Sequence, residues 1–303
     1  MTEAVRKILN YYQSDNLGTV SNLSRMLNHG ALAGTGKMLI FPVDQGFEHG
    51  PASSFASNPS AYDPAYHFQL AIEGACSAYA APFGFLDSVG KEFAGEIPLI
   101  LKANNSDSLY KDSKNPLPAI TSGVEEALRL GCSAIGLTIY PGSGSSKSMY
   151  EDVKKIKQEA RKAGLPLVIW SYPRGGSLSK EGETAIDVIA YAAQIACQLG
   201  AHIVKVKPPK DFFEKQEKIY TENKIPSKSL SQRVQHILQS AFNGRRIVIF
   251  SGGPSKGIQD ILEEIKQLAQ GGSFGSIVGR NVFQRPKKEA LDLLSKIIDI
   301  YKS

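Results

Sequence analysis

Cysteine is scarce in this chain. Only Cys76, Cys132 and Cys197 occur. They are odd in number, far apart and outside any C-x-x-C pair, so neither a disulfide framework nor a zinc knuckle can be built from them. Each lies among small apolar residues, where an inert buried thiol is expected. Histidine is also sparse. The five, at 29, 49, 67, 202 and 236, include no pair at metal-ligand spacing, and chemistry without a metal or other cofactor is expected. No run of about 18 consecutive apolar residues occurs, which argues against a membrane-spanning helix. The opening Met1-Thr2-Glu3-Ala4-Val5-Arg6-Lys7 lacks the apolar stretch of a secretory signal, so a cytosolic location is expected. The net charge is +6, yet no basic run exceeds a pair and none interleaves with aromatics. Nucleic acid and membrane are therefore not the expected partners, and a phosphorylated metabolite fits the charge better than a polyanion.

What the chain does have is a globular composition, with 42% hydrophobic and 21% charged residues and 28 glycines in 303 positions. That length suits one large α/β unit. A weak repeat organises it, in which a helical stretch closes on glycine and a short apolar run follows. The clearest copies are Gly74-Ala75-Cys76-Ser77-Ala78-Tyr79-Ala80, Gly131-Cys132-Ser133-Ala134-Ile135-Gly136-Leu137, Gly200-Ala201-His202-Ile203-Val204-Lys205-Val206 and Gly271-Gly272-Ser273-Phe274-Gly275-Ser276-Ile277-Val278. Glycine supplies the left-handed turn after a helix, and continuously apolar strands belong to parallel sheets covered on both faces. Met38–Val43, Leu99–Lys102, Leu167–Trp170 and Ile247–Phe250 bring the strands to eight. Helical spacing of apolar residues predicts helices near 64–74, 86–94, 122–130, 147–163, 184–199, 229–242, 257–270 and 287–301. Strand alternating with helix implies right-handed crossovers and a parallel sheet. Eight strands, with no G-x-G-x-x-G after the first, favour a closed (β/α)8 TIM barrel over an open doubly wound sheet. The expected organisation is an N-terminal helical extension over 1–36 and the barrel over 37–303. The loop Gly30-Ala31-Leu32-Ala33-Gly34-Thr35-Gly36-Lys37 imitates a P-loop but has Ala31 and Met38 where glycine and a hydroxyl residue are needed, so it reads as a flexible lead into the first strand. The stretch 208–228 reads as a long surface excursion.

Side chains at the C-terminal ends of barrel strands, and the loops that follow, face the active site. Here those ends are polar: Asp44, Lys102, Tyr140, Trp170 with Tyr172, Lys205 with Lys207, Ser251-Gly252-Gly253 and Gly279-Arg280. The last two groups occupy the usual phosphate position of such barrels, where glycine lets backbone N–H groups approach an anion and Arg280 adds a bidentate contact; tight turns that merely need glycine are the alternative. Lys205 and Lys207 lie at period two on an otherwise apolar strand and share a face. A desolvated lysine beside a second cation becomes the neutral amine that attacks a carbonyl; solvated lysines at an exposed strand end are the alternative. Trp170 and Tyr172 share a face on the neighbouring strand, where a tyrosine can pass a proton to or from substrate, though both types are also common core residues. Arg174, on a Gly-rich loop, suits a second phosphate. Asp44 either orients substrate or caps a helix.

Taken jointly, Asp44-Gln45-Gly46-Phe47-Glu48-His49-Gly50, Thr138-Ile139-Tyr140-Pro141-Gly142-Ser143-Gly144, Trp170-Ser171-Tyr172-Pro173-Arg174-Gly175-Gly176, Lys205-Val206-Lys207, Ser251-Gly252-Gly253-Pro254 and Val278-Gly279-Arg280-Asn281-Val282-Phe283-Gln284-Arg285 resemble the archaeal-type class I fructose-bisphosphate aldolases, the DhnA family. The match runs in order from about residue 37 to 300. The resemblance implies a metal-free (β/α)8 enzyme that reversibly splits fructose 1,6-bisphosphate into dihydroxyacetone phosphate and glyceraldehyde 3-phosphate. It implies Lys205 as Schiff-base nucleophile, Tyr172 as proton donor and acceptor, and Asp44 and Trp170 shaping the site. It further implies Ser251, Gly252, Gly253, Gly279 and Arg280 around one phosphate and Arg174 toward the other, with His49 and Lys207 among the substrate contacts, and a homo-oligomer, commonly of five-fold rings. Two departures stand out: Gln45 where the family often has histidine, and the charged excursion after Lys207. Related lysine enzymes that make an amino-dideoxy-heptulosonate or cleave a phosphorylated signalling sugar, and a flavin or non-catalytic phosphate-binding barrel, are the alternatives.

Overall fold

Eight apolar segments close into a parallel barrel in the computed structural model, which describes residues 1–110, 112–252 and 257–303. They are β1 (Met38–Pro42), β2 (Ala78–Pro82), β3 (Leu99–Lys102), β4 (Ala134–Ile139), β5 (Leu167–Ser171), β6 (Ile203–Val206), β7 (Ile247–Ser251) and β8 (Gly275–Ile277). Each pairs with its sequence neighbours, and β1 meets β8 through Met38, Leu39 and Ile40 opposite Gly275, Ser276 and Ile277. The expected TIM barrel is the observed fold, with helices outside it from Pro64–Glu73 to Lys287–Lys302. The glycine that ends each repeat does its expected work at Gly131, Gly200 and Gly272, whose φ angles are 65°, 97° and 87°. The first copy differs. There Ala75 takes the left-handed turn at φ 48°, and Gly74 is needed instead because a Cβ would sit 2.4 Å from Leu294 Cδ1.

Strand alternation sorts the side chains into two layers. Ile40, Ala80, Ile100, Val168, Ile203 and Ile249 pack inside the barrel, while Leu39, Phe41, Leu101, Leu137, Ile169 and Val204 meet the surrounding helices. The N-terminal helices α1 (Glu3–Leu9) and α2 (Leu17–Leu27) precede β1 and join the inner layer, because Val5, Ile8, Tyr12, Leu23 and Met26 are buried in the same cluster. They close the barrel's N-terminal end. The Tyr12 hydroxyl donates to His202 O at 2.6 Å and accepts from Ile247 N–H at 3.0 Å, so it ties the starts of β6 and β7.

The lead over residues 30–37 is more constrained than expected. Ala31 N–H bonds Ala75 O at 2.8 Å, Gly34 N–H bonds Leu27 O at 3.0 Å, and Lys37 Nζ reaches Ser273 O at 2.6 Å. The excursion over 208–228 contains the helix Glu217–Glu222 and is pinned from two sides. The Asp187 carboxylate accepts from the N–H groups of Glu214, Lys215 and Gln216, and the Arg233 guanidinium donates to Pro209 O, Ser227 O and Lys228 O. Four small elements at the barrel mouth were not anticipated: the helices Gln45–His49 and Pro51–Phe55, the 3-10 turn Pro59–Tyr62, and an antiparallel pair joining Asn104–Asn105 to Ala119–Ile120.

Candidate active site

Strand register brings the two central residues together: Trp170 on β5 is paired with Lys205 on β6, so both point into the barrel. Space for the indole comes from Gly136 on β4, where a Cβ would lie 2.0 Å from Trp170 Cζ3. Lys205 is 5% exposed. Its Nζ lies 5.4 Å from the Trp170 ring centre and 5.4 Å from that of Tyr172, and among the described residues it has no hydrogen-bond acceptor. Burial pushes its pKa down to about 8; the Asp44 and Glu48 carboxylates oppose this, and the charges of Lys102 and Arg280 add to it. Lys207, expected on the same face, does approach the Tyr172 ring at 5.9 Å. It sits nearer the rim, however, and is engaged by Glu183 at 3.3 Å.

Tyr172 follows β5, with its backbone N–H bonded to Ile139 O at 3.0 Å. Burial raises its phenol well above the usual value, and the negative charges of Asp44 and Glu48 raise it further, against a hydrogen bond with Ser251. The phenol is therefore an acid in the resting site. Asp44 ends β1's loop ahead of the helix Gln45–His49, but its side chain makes no cap hydrogen bond; the carboxylate instead influences both Lys205 and Tyr172. His49 closes that helix, exposed at the rim. Partial desolvation lowers its pKa, the arginines at 280 and 174 lower it further, and Asp44 opposes. These couplings place His49, Asp44, Arg174 and Arg280 around one mouth.

The ends of β7 and β8 come together at Gly252 and Asn281. Ser251 is buried at the end of β7, and Asn281 Nδ2 holds Gly252 O at 2.9 Å. Gly279 is the N-cap of the short helix Arg280–Phe283. Gly253 lies outside the described residues. Across the mouth, the Arg174 guanidinium covers the Tyr140 ring at 4.9 Å, and its buried Nε has no hydrogen-bond partner among the described residues. Tyr140 shares a hydrogen bond of 2.5 Å with Ser106, and burial pushes its phenol up to about 12.

Three groups in the mouth lie outside the expected site residues, Glu48, Asn104 and Glu183, and the first two gather around the strand end Lys102. Lys102 Nζ bonds both oxygens of Asn104 and pairs with Glu48 at 3.5 Å; burial raises the Glu48 carboxyl, which Lys102 opposes. Glu183 holds Lys207 and Lys180. Lys102 was visible as a lysine ending the apolar strand Leu99–Lys102, but Glu48, Asn104 and Glu183 carry no local pattern that marks them.

The DeoC/LacD family aldolase pattern matches residues 38–285. The chain belongs to the DeoC/LacD family of aldolases. Among curated members, it is 40% identical over 251 residues to the fructose-bisphosphate aldolase class 1 of Thermoproteus tenax, covering 82% of this chain and 84% of that one. It is 36% identical over 307 residues to a probable fructose-bisphosphate aldolase class 1 of Chlamydia muridarum, covering 96% and 87%. Among solved structures of the family, an archaeal fructose-1,6-bisphosphate aldolase whose catalytic lysine is covalently bound to the carbinolamine intermediate of the substrate superposes with a TM-score of 0.75. Its identity is 35%, over 88% of this chain and 95% of that one. The family's barrel is thus the scaffold on which the site at Lys205 is built.

Proposed function

We infer that this protein is a class I fructose-1,6-bisphosphate aldolase, reversibly cleaving its substrate to dihydroxyacetone phosphate and glyceraldehyde 3-phosphate, with Lys205 carrying the covalent step. The observation that carries this reading is a buried lysine on an indole and a phenol, with no acceptor among the described residues and an amine pKa brought to about 8. Its family supplies the substrate class: the T. tenax and C. muridarum relatives are named for this aldolase.

The Lys205 amine attacks the ketone carbon, and loss of water from the carbinolamine leaves an iminium. Removal of the proton on the C4 hydroxyl breaks the C3–C4 bond, and its electron pair moves into the iminium to give an enamine while the aldehyde departs. Protonation at C3 and hydrolysis then release dihydroxyacetone phosphate and restore the amine. Tyr172 is the group for these proton transfers, since its hydroxyl shares the pocket with Lys205: as the phenolate it takes the C4 hydroxyl proton, and as the phenol, the form that burial favours, it gives that proton to C3. Asp44 orients the substrate beside the amine. Ser251, Gly252, Gly279 and Arg280 receive one phosphate and Arg174, whose Nε has no partner among the described residues, the other; holding both ends fixes the scissile bond against Tyr172. The resemblance also implies several copies in a homo-oligomer, which light scattering reads directly. Borohydride reduction in the presence of dihydroxyacetone phosphate, with peptide mapping, tests the core of the reading: the adduct is expected on Lys205, and an enzyme that turns over with Lys205 unlabelled would refute it.

A further inference from the structure

Two buried lysines meet at the Trp170 indole, and their surroundings are opposite. Lys102, at the end of β3, is 1% exposed and its Nζ lies 5.7 Å from the ring centre. An ammonium has three donors, and this one has three acceptors: Asn104 O, Asn104 Oδ1 at 3.3 Å and Glu48 Oε1 at 3.5 Å. Asn104 is itself held, since its Oδ1 accepts from Thr138 N–H at 2.7 Å and its Nδ2 donates to Thr138 O at 2.8 Å. The acceptors for Lys102 are thereby bolted to the end of β4. Lys205 reaches the same indole at 5.4 Å with no acceptor among the described residues. One site is built for a cation, the other for an amine.

We propose that Lys102, anchored by Asn104 and Glu48, is the fixed cation whose charge keeps Lys205 a free amine, making it a positioning residue for Schiff-base formation. Repulsion between two ammoniums at one apolar ring is screened far less than in water. The other groups facing Lys205 are Asp44 after β1, Glu48 on the helix Gln45–His49, Arg280 after β8 and the Tyr172 phenol. The two carboxylates favour the ammonium and Arg280 opposes it. Lys207, the neighbour that the period-two pattern suggests for this task, is engaged by Glu183 instead. Glu48 touches Lys102 yet favours charge on Lys205, so removing it and removing Lys102 must move Lys205 in opposite directions.

This proposal rests on Lys205 being the nucleophile, and the experiment separates the two. The pH dependence of kcat/KM for fructose 1,6-bisphosphate cleavage is measured for the wild type, Lys102→Met and Glu48→Gln, together with borohydride trapping by dihydroxyacetone phosphate at pH values of about 7 and about 9.5. The acid limb of kcat/KM follows ionisation of the free enzyme. In Lys102→Met it is expected to move up by on the order of one pH unit, with trapping near pH 7 reduced roughly tenfold and recovered at the higher pH. In Glu48→Gln it is expected to move down. A Lys102→Met enzyme slowed equally at every pH, or unchanged, overturns the proposal, since either result means that its charge does not act on Lys205. Should Lys102→Met not fold, the direction in Glu48→Gln decides: an unmoved or rising limb overturns it. Absence of a Lys205 adduct in the wild type would instead overturn the reading beneath it.

Discussion

A lysine between an indole and a phenol loses the hydration that its ammonium needs, and the cost falls on the folded state. Burial takes Lys205 to about 8 from the ordinary lysine value of 10.5, so between those two pH values the unfolded chain holds the proton more tightly and stability rises with pH. Below about 8 both states are protonated and the folded protein bears the whole penalty, on the order of 3 kcal/mol. Lys205→Met is therefore expected to lose turnover yet to be more stable than the wild type near pH 7, with the advantage fading as pH approaches 10.5. Urea unfolding at the two pH values measures it; a less stable variant near pH 7 would contradict the burial penalty. The same ionisation makes wild-type kcat/KM climb as pH rises through about 8, because only the amine attacks. Tyr172→Phe separates the proton transfers from the covalent step. It is expected to lower kcat by roughly 10² to 10³ while Lys205 is still trapped by borohydride, and a variant that no longer forms the adduct would place Tyr172 before cleavage rather than within it. These two residues were legible in the sequence because each sits at a strand end with period-two neighbours. Glu48, Asn104 and Glu183 were not: their roles depend on contacts across 54, 34 and 24 residues of chain with Lys102, Thr138 and Lys207.

At the scale of strands and loops, the indole's place is set by a residue that has no side chain. With Gly136 directly against Trp170, Gly136→Ala must push the ring or the β4 backbone, an overpacking cost of about 1–3 kcal/mol. Trp170 is the one tryptophan in the chain and is 1% exposed, so intrinsic fluorescence reports this site alone. The substitution is expected to shift its emission to the red and to lower kcat with it; unchanged emission would mean that the site accommodates a methyl group without moving the ring. The eight strands were legible because glycine-ended helices and continuous apolar runs recur around them. The short elements on the loops after β1 and β3 were not. Gln45–His49 and Pro51–Phe55 each have five residues, too few for a helical period to show, and the pairing of Asn104–Asn105 with Ala119–Ile120 depends on a loop whose ends meet only in the folded barrel. Those are the elements that carry Glu48, His49 and Asn104, which is why the chemistry at the mouth was less readable than the barrel beneath it.

Over the whole molecule, the barrel's two ends are closed by different means. The C-terminal end is lined by ionisable groups and left for substrate, while the N-terminal end is filled by α1 and α2, whose apolar faces complete the inner core. Sequence patterning marked these helices as an extension; their place under the barrel follows from contacts such as those of Tyr12, separated by 190 and 235 residues from His202 and Ile247. A hydroxyl that satisfies two backbone groups in a dry interior leaves both wanting when it is removed. Tyr12→Phe is therefore expected to cost about 1–3 kcal/mol of stability, read from chemical denaturation. Because Tyr12 meets the opposite ends of the strands from Lys205, kcat and the acid limb of kcat/KM should remain those of the wild type while the protein is folded. A Tyr12→Phe enzyme with intact stability and a displaced pH profile would show that the plug acts on the catalytic end, and that the two ends of the barrel are coupled rather than independent.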